Sequence, residues 1–127
     1  MAARKSQAMT LEEFLNQKAV RNAHVKHPEF STLYVRHAMR IIRGQMMEVF
    51  DLASAEAKRP GRGAFTRLIQ SLDNLDKPIF AESVWNLRLA DWLLRNGFER
   101  TYPEQCFVKM PKLYNPSHES EQPERTN

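Results

Sequence analysis

A basic turn rich in glycine is the part of this chain best suited to chemistry. Residues 59–68 read Arg-Pro-Gly-Arg-Gly-Ala-Phe-Thr-Arg-Leu, between an apolar strand-like run and an amphipathic helical pattern. Glycine adopts positive φ without steric cost, so backbone N–H groups of such a turn can converge on one anion together with the following helix N-terminus. The turn therefore predicts a site for the phosphates of a phosphorylated cofactor.

The elements that position this turn follow from hydrophobic periodicity. Thr10 to Glu13 has the form of a capping box, and Gly44-Gln45 suits a hairpin turn. The predicted elements are a helix over 11–22, strands over 33–41 and 46–54, a helix from 65 to about 76, a strand over 79–84, a helix ending at 96, and strands over 98–102 and 107–110. The order α-β-β-α-β-α-β-β predicts an α/β (α+β) fold: a mixed sheet with flanking helices and one parallel strand pair.

Composition and charge are those of an ordinary globular protein. A length of 127 residues supports one hydrophobic core, and we expect one domain over 10–112, a flexible N-terminus over 1–9 and a disordered tail over 113–127. The formal net charge of +4 favours an anionic partner. Cys106 is alone, which excludes an internal disulfide, and its apolar neighbours indicate a core residue.

The sequence also predicts where the protein resides. Residues 1–9 are polar and no apolar h-region follows them, so we expect no signal peptide. No apolar run has the length of a membrane-spanning helix. No Cys, His or carboxylate cluster has metal-ligand spacing. We therefore expect a cytoplasmic protein that uses neither a membrane nor a metal.

Three features in sequence resemble the GNAT superfamily of acetyl-CoA-dependent N-acetyltransferases. Residues 60–66 are similar to that family's pyrophosphate loop, Q/R-x-x-G-x-G/A before a helix. A strand ending at 52–54 precedes the loop, and Asn86 is followed after eleven residues by Gly97-Phe98, as in the family. The resemblance covers residues 46–110 and is to compact bacterial and phage members.

This resemblance implies a function and a set of cofactor contacts. The protein would bind acetyl-CoA and transfer its acetyl group by direct attack of an amine, on a small molecule or a protein, in a ternary complex. The edge of one strand would hold the pantetheine arm, the glycine turn would hold the phosphates, and an asparagine would lie near the arm. The residues implied are Leu52, Ala53, Ser54, Arg59, Gly61, Arg62, Gly63, Ala64, Phe65, Thr66 and Asn86.

Two carboxylates are candidates for the general base that deprotonates the amine. Glu48 lies four residues before Leu52, where histone-type members of the family carry this base, and alternation places it on one strand face with Phe50, Leu52 and Ser54. Apolar neighbours would raise its pKa toward working pH. Glu82, on the following strand, is the second candidate. The alternative for each is an exposed strand carboxylate without a catalytic role.

The loop departs from the family pattern in its register. Aligned on the helix start, Pro60 occupies the Gln/Arg place and Phe65 the final Gly/Ala place. Pro60 has no N–H to donate. A slipped register uses Lys58, Gly61 and Gly63 instead, and it inserts extra residues before the helix.

A second departure concerns the acid that protonates the leaving thiolate. Many family members place a tyrosine where this chain has Leu93, so Tyr102, Tyr114 or solvent would serve, or no reaction would occur. The short N-terminal half leaves an acceptor site that is open, minimal or completed by a second copy in a homodimer. A catalytically silent GNAT-like protein-binding module, with or without coenzyme A as a structural ligand, is therefore the alternative function. We expect no nucleic-acid partner, because the chain lacks a helix-turn-helix signature and interleaved sheet aromatics.

Overall fold

The structure is a computed structural model that describes residues 9–111. These residues fold into a seven-stranded mixed sheet and three helices. The strands follow the spatial order β1-β2-β3-β4-β5-β7-β6. In chain order the elements are β1 (Met9–Thr10), α1 (Leu11–Asn16), β2 (Asn22–Lys26), β3 (Phe30–Ile42), β4 (Gln45–Ala57), α2 (Ala64–Ser71), β5 (Ile79–Ala81), α3 (Leu87–Arg95), β6 (Glu99–Thr101) and β7 (Cys106–Lys109). The predicted mixed sheet with flanking helices is confirmed.

The N-terminal region differs from the prediction. The capping box at Thr10 and Glu13 is present, with both reciprocal hydrogen bonds. However, α1 ends at Asn16, and residues 22–26 form strand β2 where the sequence predicted the end of a helix. Phe14 is fully buried and anchors the short helix, while β2 pairs antiparallel with β3. Residue 22, predicted as the end of the helix, instead begins a strand that pairs with the next strand along the chain.

The hairpin β3–β4 is the longest feature of the sheet, and it contains a bulge. Its turn has positive φ at Arg43 and Gly44, as a tight hairpin turn requires. Val35 pairs with Leu52 but Tyr34 pairs with Ser54, so Ala53 is an extra residue on β4. A bulge shifts side-chain alternation by one residue. Ser54 therefore lies on the face opposite Leu52, and the prediction that these two residues share a face is wrong.

The predicted βαβ unit with a parallel strand pair is confirmed. Helix α2 connects β4 to β5, and the two strands pair in parallel from Phe50 and Ile79 to Leu52 and Ala81. Beyond this point β4 continues along β3 to Ala57, whereas the chain leaving β5 turns away. The amide N–H of Val84 donates to the carbonyl of Gln105 instead, at 2.8 Å. The two parallel strands therefore diverge after three residue pairs.

The sheet has a helical face and a strand-only face. All three helices bury side chains on the first, and its largest buried members include Phe14, Phe50, Leu68, Leu93 and Phe107. The second face holds a smaller cluster of strand residues, Ile42, Val49, Phe80, Cys106 and Val108, which confirms Cys106 as a core residue. An ion pair joins Arg43 in the hairpin turn to Glu99 on β6, the last strand of the sheet.

Two other predictions concern the chain termini and the absence of a membrane-spanning helix. Apart from Met9, the termini predicted to be flexible or disordered, 1–9 and 113–127, lie outside the described residues. Within residues 9–111, no helix combines the length and hydrophobicity needed to cross a bilayer.

Candidate functional site

A slot of about 410 Å³ opens where β4 and β5 diverge. One wall is the bulged segment of β4, the other is the chain that leaves β5, and α2 and α3 close the bottom. Its lining residues are Leu52, Ala53, Ser54, Ala55, Phe65, Ile69, Ala81, Glu82, Ser83, Val84, Trp85, Asn86, Leu89 and Leu93. The structure therefore brings together six of the residues implied by the sequence: Leu52, Ala53, Ser54, Phe65, Glu82 and Asn86.

The β4 wall offers backbone groups as well as side chains. From Ser54 to Ala57, β4 pairs only with β3, and its other edge, which lines the slot at Ser54 and Ala55, has no strand partner within residues 9–111. Backbone N–H and C=O groups on such an edge are strong hydrogen-bonding groups. An extended ligand with amide groups could therefore pair with this edge as an added strand does.

The glycine turn forms the start of α2. Gly61 and Gly63 have φ of 82° and 84°, a region that favours glycine. Gly63 is the N-cap residue of α2, and no side chain caps the helix. The first-turn N–H groups, from Ala64 onward, therefore have no side-chain acceptor and carry the positive end of the helix dipole.

Arg67 is partly exposed, and its guanidinium also holds the turn in place. Its Nε donates to both carboxylate oxygens of Glu29 at 3.0 Å, and its Nη2 donates to the Arg62 carbonyl at 2.7 Å. This hydrogen bond from Arg67 lowers the pKa of Glu29. A Cβ on Gly63 would lie 3.0 Å from Nη1 of Arg67. The arginine thus ties the turn to the segment before β3, and a Cβ at position 63 would require its guanidinium to shift.

The remaining cations of the turn are exposed. Lys58, Arg59 and Arg62 border a cleft of about 390 Å³ between the turn and residues 28–29. Within the described part of the chain, Arg59 and Arg62 form no ion pair. A positive charge without a protein partner beside an uncapped helix N-terminus favours an anionic ligand.

A smaller cavity beside the turn adjoins the slot. It measures about 170 Å³ and includes Gly61, Gly63 and Thr66 in its lining. It shares Phe65 and Leu89 with the slot. One ligand could therefore extend from the diverging strands to the N-terminus of α2.

Asn86 and Gly97 mark the two ends of α3. The Asn86 Oδ1 accepts hydrogen bonds from the Arg88 and Leu89 amides, at 2.9 and 3.2 Å, and so caps the helix. Gly97 has φ of 93°, and the Phe98 amide donates to the Leu93 carbonyl at 3.0 Å. The spacing that supported the resemblance therefore also has a purely structural explanation, namely the length of a capped helix.

Glu48 lies outside the slot, near the start of β5. Arg21 and Lys77 contact its Oε2 at 3.0 and 3.3 Å, and His37 lies 3.8 Å away. Desolvation alone would raise the pKa of Glu48, but the hydrogen bonds from Arg21 and Lys77 lower it. His37 stacks on Phe14 with ring centroids 4.5 Å apart, as expected of a core histidine. Glu48 is thus held ionised by cations and does not reach the slot.

A buried carboxylate, Asp51, was not identified from the sequence. Its side chain is fully buried on the strand-only face, and its Oδ2 accepts hydrogen bonds from Arg36 and Arg40 at 2.9 and 3.0 Å. Glu82 accepts hydrogen bonds from the same two arginines, at 2.8 and 3.3 Å. Arg40 also lies over the Phe80 ring. The sequence did contain a signal for this buried carboxylate. Asp51 is the one carboxylate inside the apolar run 49–53, and two arginines, Arg36 and Arg40, share one face of the neighbouring strand.

The two carboxyl groups have opposite pKa shifts. Burial and then the hydrogen bond with Glu82 raise the pKa of Asp51 to about 6, against the lowering effect of the arginines. Burial would raise the pKa of Glu82, but hydrogen bonds from Asp51 and Arg36 lower it. Asp51 therefore keeps its proton to a higher pH than an ordinary aspartate does, while Glu82 loses its proton at a lower pH than usual.

The groups considered for protonating a thiolate are not in the slot. Leu93 lines it and is almost fully buried. Tyr102 is 82% exposed and is not part of the lining, and Tyr114 lies outside the described residues. Among the slot-lining side chains, Glu82 is the one that titrates as an acid or base.

Comparisons with known proteins assign no family to the chain. No protein-family model, curated protein or solved structure matches it. Residues 9–111 also contain no group of three or more His, Cys, Asp or Glu side chains that could hold a metal ion. The functional inference therefore depends on the geometry of the slot and the glycine turn.

Proposed function

We propose that this protein binds acetyl-CoA in the slot and transfers its acetyl group to an amine. The observation that carries the proposal is that two features lie close together: a strand edge without a partner along β4, and an uncapped, glycine-lined N-terminus of α2. The resemblance of residues 46–110 to GNAT acetyltransferases supports the same ligand.

The shape of the slot suits the pantetheine arm of coenzyme A. That arm is narrow and largely apolar and contains two amides, which match an apolar lining and an unpaired strand edge. The volume of about 410 Å³ is within the range of small-ligand sites, roughly 300–1,000 Å³. The diphosphate would then lie at the start of α2, where backbone N–H groups, Arg59 and Arg62 supply positive potential.

The chemistry requires a group that removes a proton from the amine. A neutral amine attacks the thioester carbonyl, and a carboxylate within reach can accept the proton that the amine loses. Glu82 lines the slot where the strands diverge, and its side chain is 21% exposed. These observations favour Glu82 over Glu48 as the base.

A catalytically silent module is the second candidate function. Leu93 at the wall of the slot cannot protonate a thiolate, and this favours a protein that binds coenzyme A without turnover. Trp85 and Leu87, at the slot and just after it, are 70% and 83% exposed. Exposed apolar side chains of this size suit contact with another protein.

Calorimetric titration with acetyl-CoA tests binding. The double variant Arg59→Glu/Arg62→Glu should weaken the affinity on the order of tenfold or more, because it reverses charge at the diphosphate site. Arg95→Glu is the matched control: this arginine is exposed at the far end of α3, and its reversal should leave the affinity unchanged. Absence of binding by the wild-type protein at millimolar acetyl-CoA would refute the transferase and any module that holds coenzyme A, and would leave only a protein-binding module without the cofactor.

Release of free coenzyme A thiol with a panel of amines separates the two candidates. The transferase predicts amine-dependent thiol release that Glu82→Gln abolishes and Glu48→Gln does not. Binding of acetyl-CoA without thiol release from any amine would favour the silent module.

A further inference from the structure

The slot has an apolar side and a polar side. Apolar side chains of α2 and α3 line it on the helical face of the sheet, where the cavity beside the turn adjoins it. Glu82 lies toward the strand-only face, where Arg36 and Arg40 bind it, and the lining residue Ser54 is on that face as well. A cofactor arm along the helices would therefore leave the strand-only side of the slot to the acceptor amine.

The chain that leaves β5 breaks its alternation at Ser83. Ala81 and Val84 are both buried in the core of the helical face, although an unbroken strand places residues three apart on opposite faces. The left-handed backbone of Ser83, with φ of 57°, accounts for this shift. Trp85 follows the buried Val84 and so lies on the other side of the chain, which is the side of Glu82.

Trp85 exposes a large ring at this side of the slot. The residue lines the slot and is 70% exposed. The wall formed by β4 carries only small side chains beyond Leu52, namely Ala53, Ser54 and Ala55. An indole offers a rigid apolar surface on which rings and alkyl groups pack. The small residues of the β4 wall leave room for such a group.

The charges beside Glu82 limit the acceptor further. Arg36 and Arg40 form ion pairs with both Asp51 and Glu82, at 2.8 to 3.3 Å. Two cations therefore balance two carboxyl groups, and this cluster has no surplus of negative charge. A second ammonium group on the acceptor would find no unpaired carboxylate in the cluster and would be repelled by the arginines.

We propose that the acceptor is a monoamine with a large apolar group, and that Trp85 is the residue that selects it. This inference rests on the proposed transferase function. The amine nitrogen reaches Glu82, and the apolar group packs on the Trp85 indole at the strand-only side of the slot. Short alkylamines lack that contact, and polyamines carry charges that the cluster does not pair.

Rates of thiol release with three amines test this selection. In the wild-type protein, kcat/KM for 2-phenylethylamine should exceed that for ethylamine on the order of tenfold or more, because the phenyl ring leaves water for the indole. Spermidine should be a poorer acceptor than 2-phenylethylamine. Trp85→Ala should remove the preference for 2-phenylethylamine and leave kcat/KM for ethylamine and KM for acetyl-CoA unchanged. Trp85→Phe should retain most of it, since an aromatic surface is kept.

Leu87→Ala is the matched control. Leu87 is 83% exposed, two residues after Trp85, and does not line the slot, so its truncation should leave the preference unchanged. Because both side chains are exposed, the urea midpoints of the two alanine variants should match the wild type. A wild-type preference for ethylamine or spermidine, or an equal loss for all three amines in Trp85→Ala, would overturn the proposal.

Tryptophan fluorescence tests the contact without turnover. The chain has two tryptophans, so in Trp92→Phe the emission comes from Trp85 alone. Addition of 2-phenylethylamine should change this emission in a saturable way, with or without coenzyme A, and ethylamine should not. A response to coenzyme A with none to the amine would mean that Trp85 contacts the cofactor, and would overturn the proposal. Fluorine-19 NMR of wild-type protein labelled with 5-fluorotryptophan gives the same readout if Trp92→Phe does not fold.

The two experiments separate this inference from the proposed function. If 2-phenylethylamine changes the Trp85 signal but no amine releases thiol, the site for an apolar amine stands and the transferase function fails. If thiol is released at equal rates from all three amines, the transferase stands and the role of Trp85 is refuted. Absence of any response of Trp85 to 2-phenylethylamine refutes that role in either case.

Discussion

Replacing Asp51 with asparagine should change how the stability of the fold depends on pH. In the folded protein, burial and Glu82 raise the pKa of Asp51 from 3.8 to about 6. Below the lower value, Asp51 is protonated in both the folded and the unfolded state. Between the two values, the folded state keeps a proton that the unfolded state releases, so the wild-type protein loses stability as pH rises through this range.

The size of this loss follows from the pKa change. At about 1.36 kcal/mol per pH unit, an increase from 3.8 to about 6 corresponds to about 3 kcal/mol. The asparagine variant lacks this titration, and its amide can still donate to Glu82 and accept from Arg36. The free energy of unfolding of Asp51→Asn should therefore gain about 3 kcal/mol relative to wild type between about pH 3.5 and pH 7.

Urea unfolding at several pH values, followed by tryptophan fluorescence, measures this difference. Glu48→Gln is the control, because the lowered pKa of Glu48 has the opposite sign: it stabilises the fold above the ordinary pKa of 4.5, and this contribution is lost as pH falls. The stability of Glu48→Gln relative to wild type should thus decrease as pH rises. A difference for Asp51→Asn that is constant with pH, or that falls as pH rises, would refute the raised pKa of Asp51.

Further substitutions test three parts of the structure: the glycine turn, the core and the cap of α3. Gly63→Ala should destabilise the fold more than Gly61→Ala by thermal unfolding, since both have positive φ but only the first Cβ meets the Arg67 guanidinium; equal losses would show that this contact is unimportant. Phe14→Ala should cost roughly 3–5 kcal/mol in urea unfolding, because its ring is fully buried against His37 and Phe50, and a loss below about 1 kcal/mol would contradict this packing. Asn86→Ala should cost about 1 kcal/mol through loss of the α3 cap, and Asn86→Asp should restore it. If Asn86 also contacts the cofactor through its amide nitrogen, calorimetry should show weaker acetyl-CoA binding by the aspartate variant as well.

Much of the candidate site could be named before the fold was known. Leu52, Ala53, Phe65, Glu82 and Asn86 were identified through the resemblance, and the structure places all of them around one slot. The sequence could not choose between Glu48 and Glu82 as the general base, because a strand pattern gives the face on which a residue lies but not its distance from a cavity. Glu48 has the right face and lies beyond the end of the slot, where Arg21 and Lys77 bind it.

The sequence by itself determined the features that depend on near neighbours. The capping box at Thr10, the tight turn at Gly44, the glycine turn before α2 and the end of α3 at Gly97 each involve groups only a few residues apart. Backbone sterics and local hydrogen bonds decide such features, and residue types report them directly.

Only the tertiary structure decided the bulge, the extent of the N-terminal helix and the environment of Asp51. Ala53 becomes an extra residue through the register of β3 and β4, which no local pattern reveals. Asp51 meets arginines 11 and 15 residues away, and Arg36 meets Glu82 across 46 residues. The protonation of a buried carboxyl depends on the distances to these charges and on the exclusion of water, and both exist only once the strands are assembled.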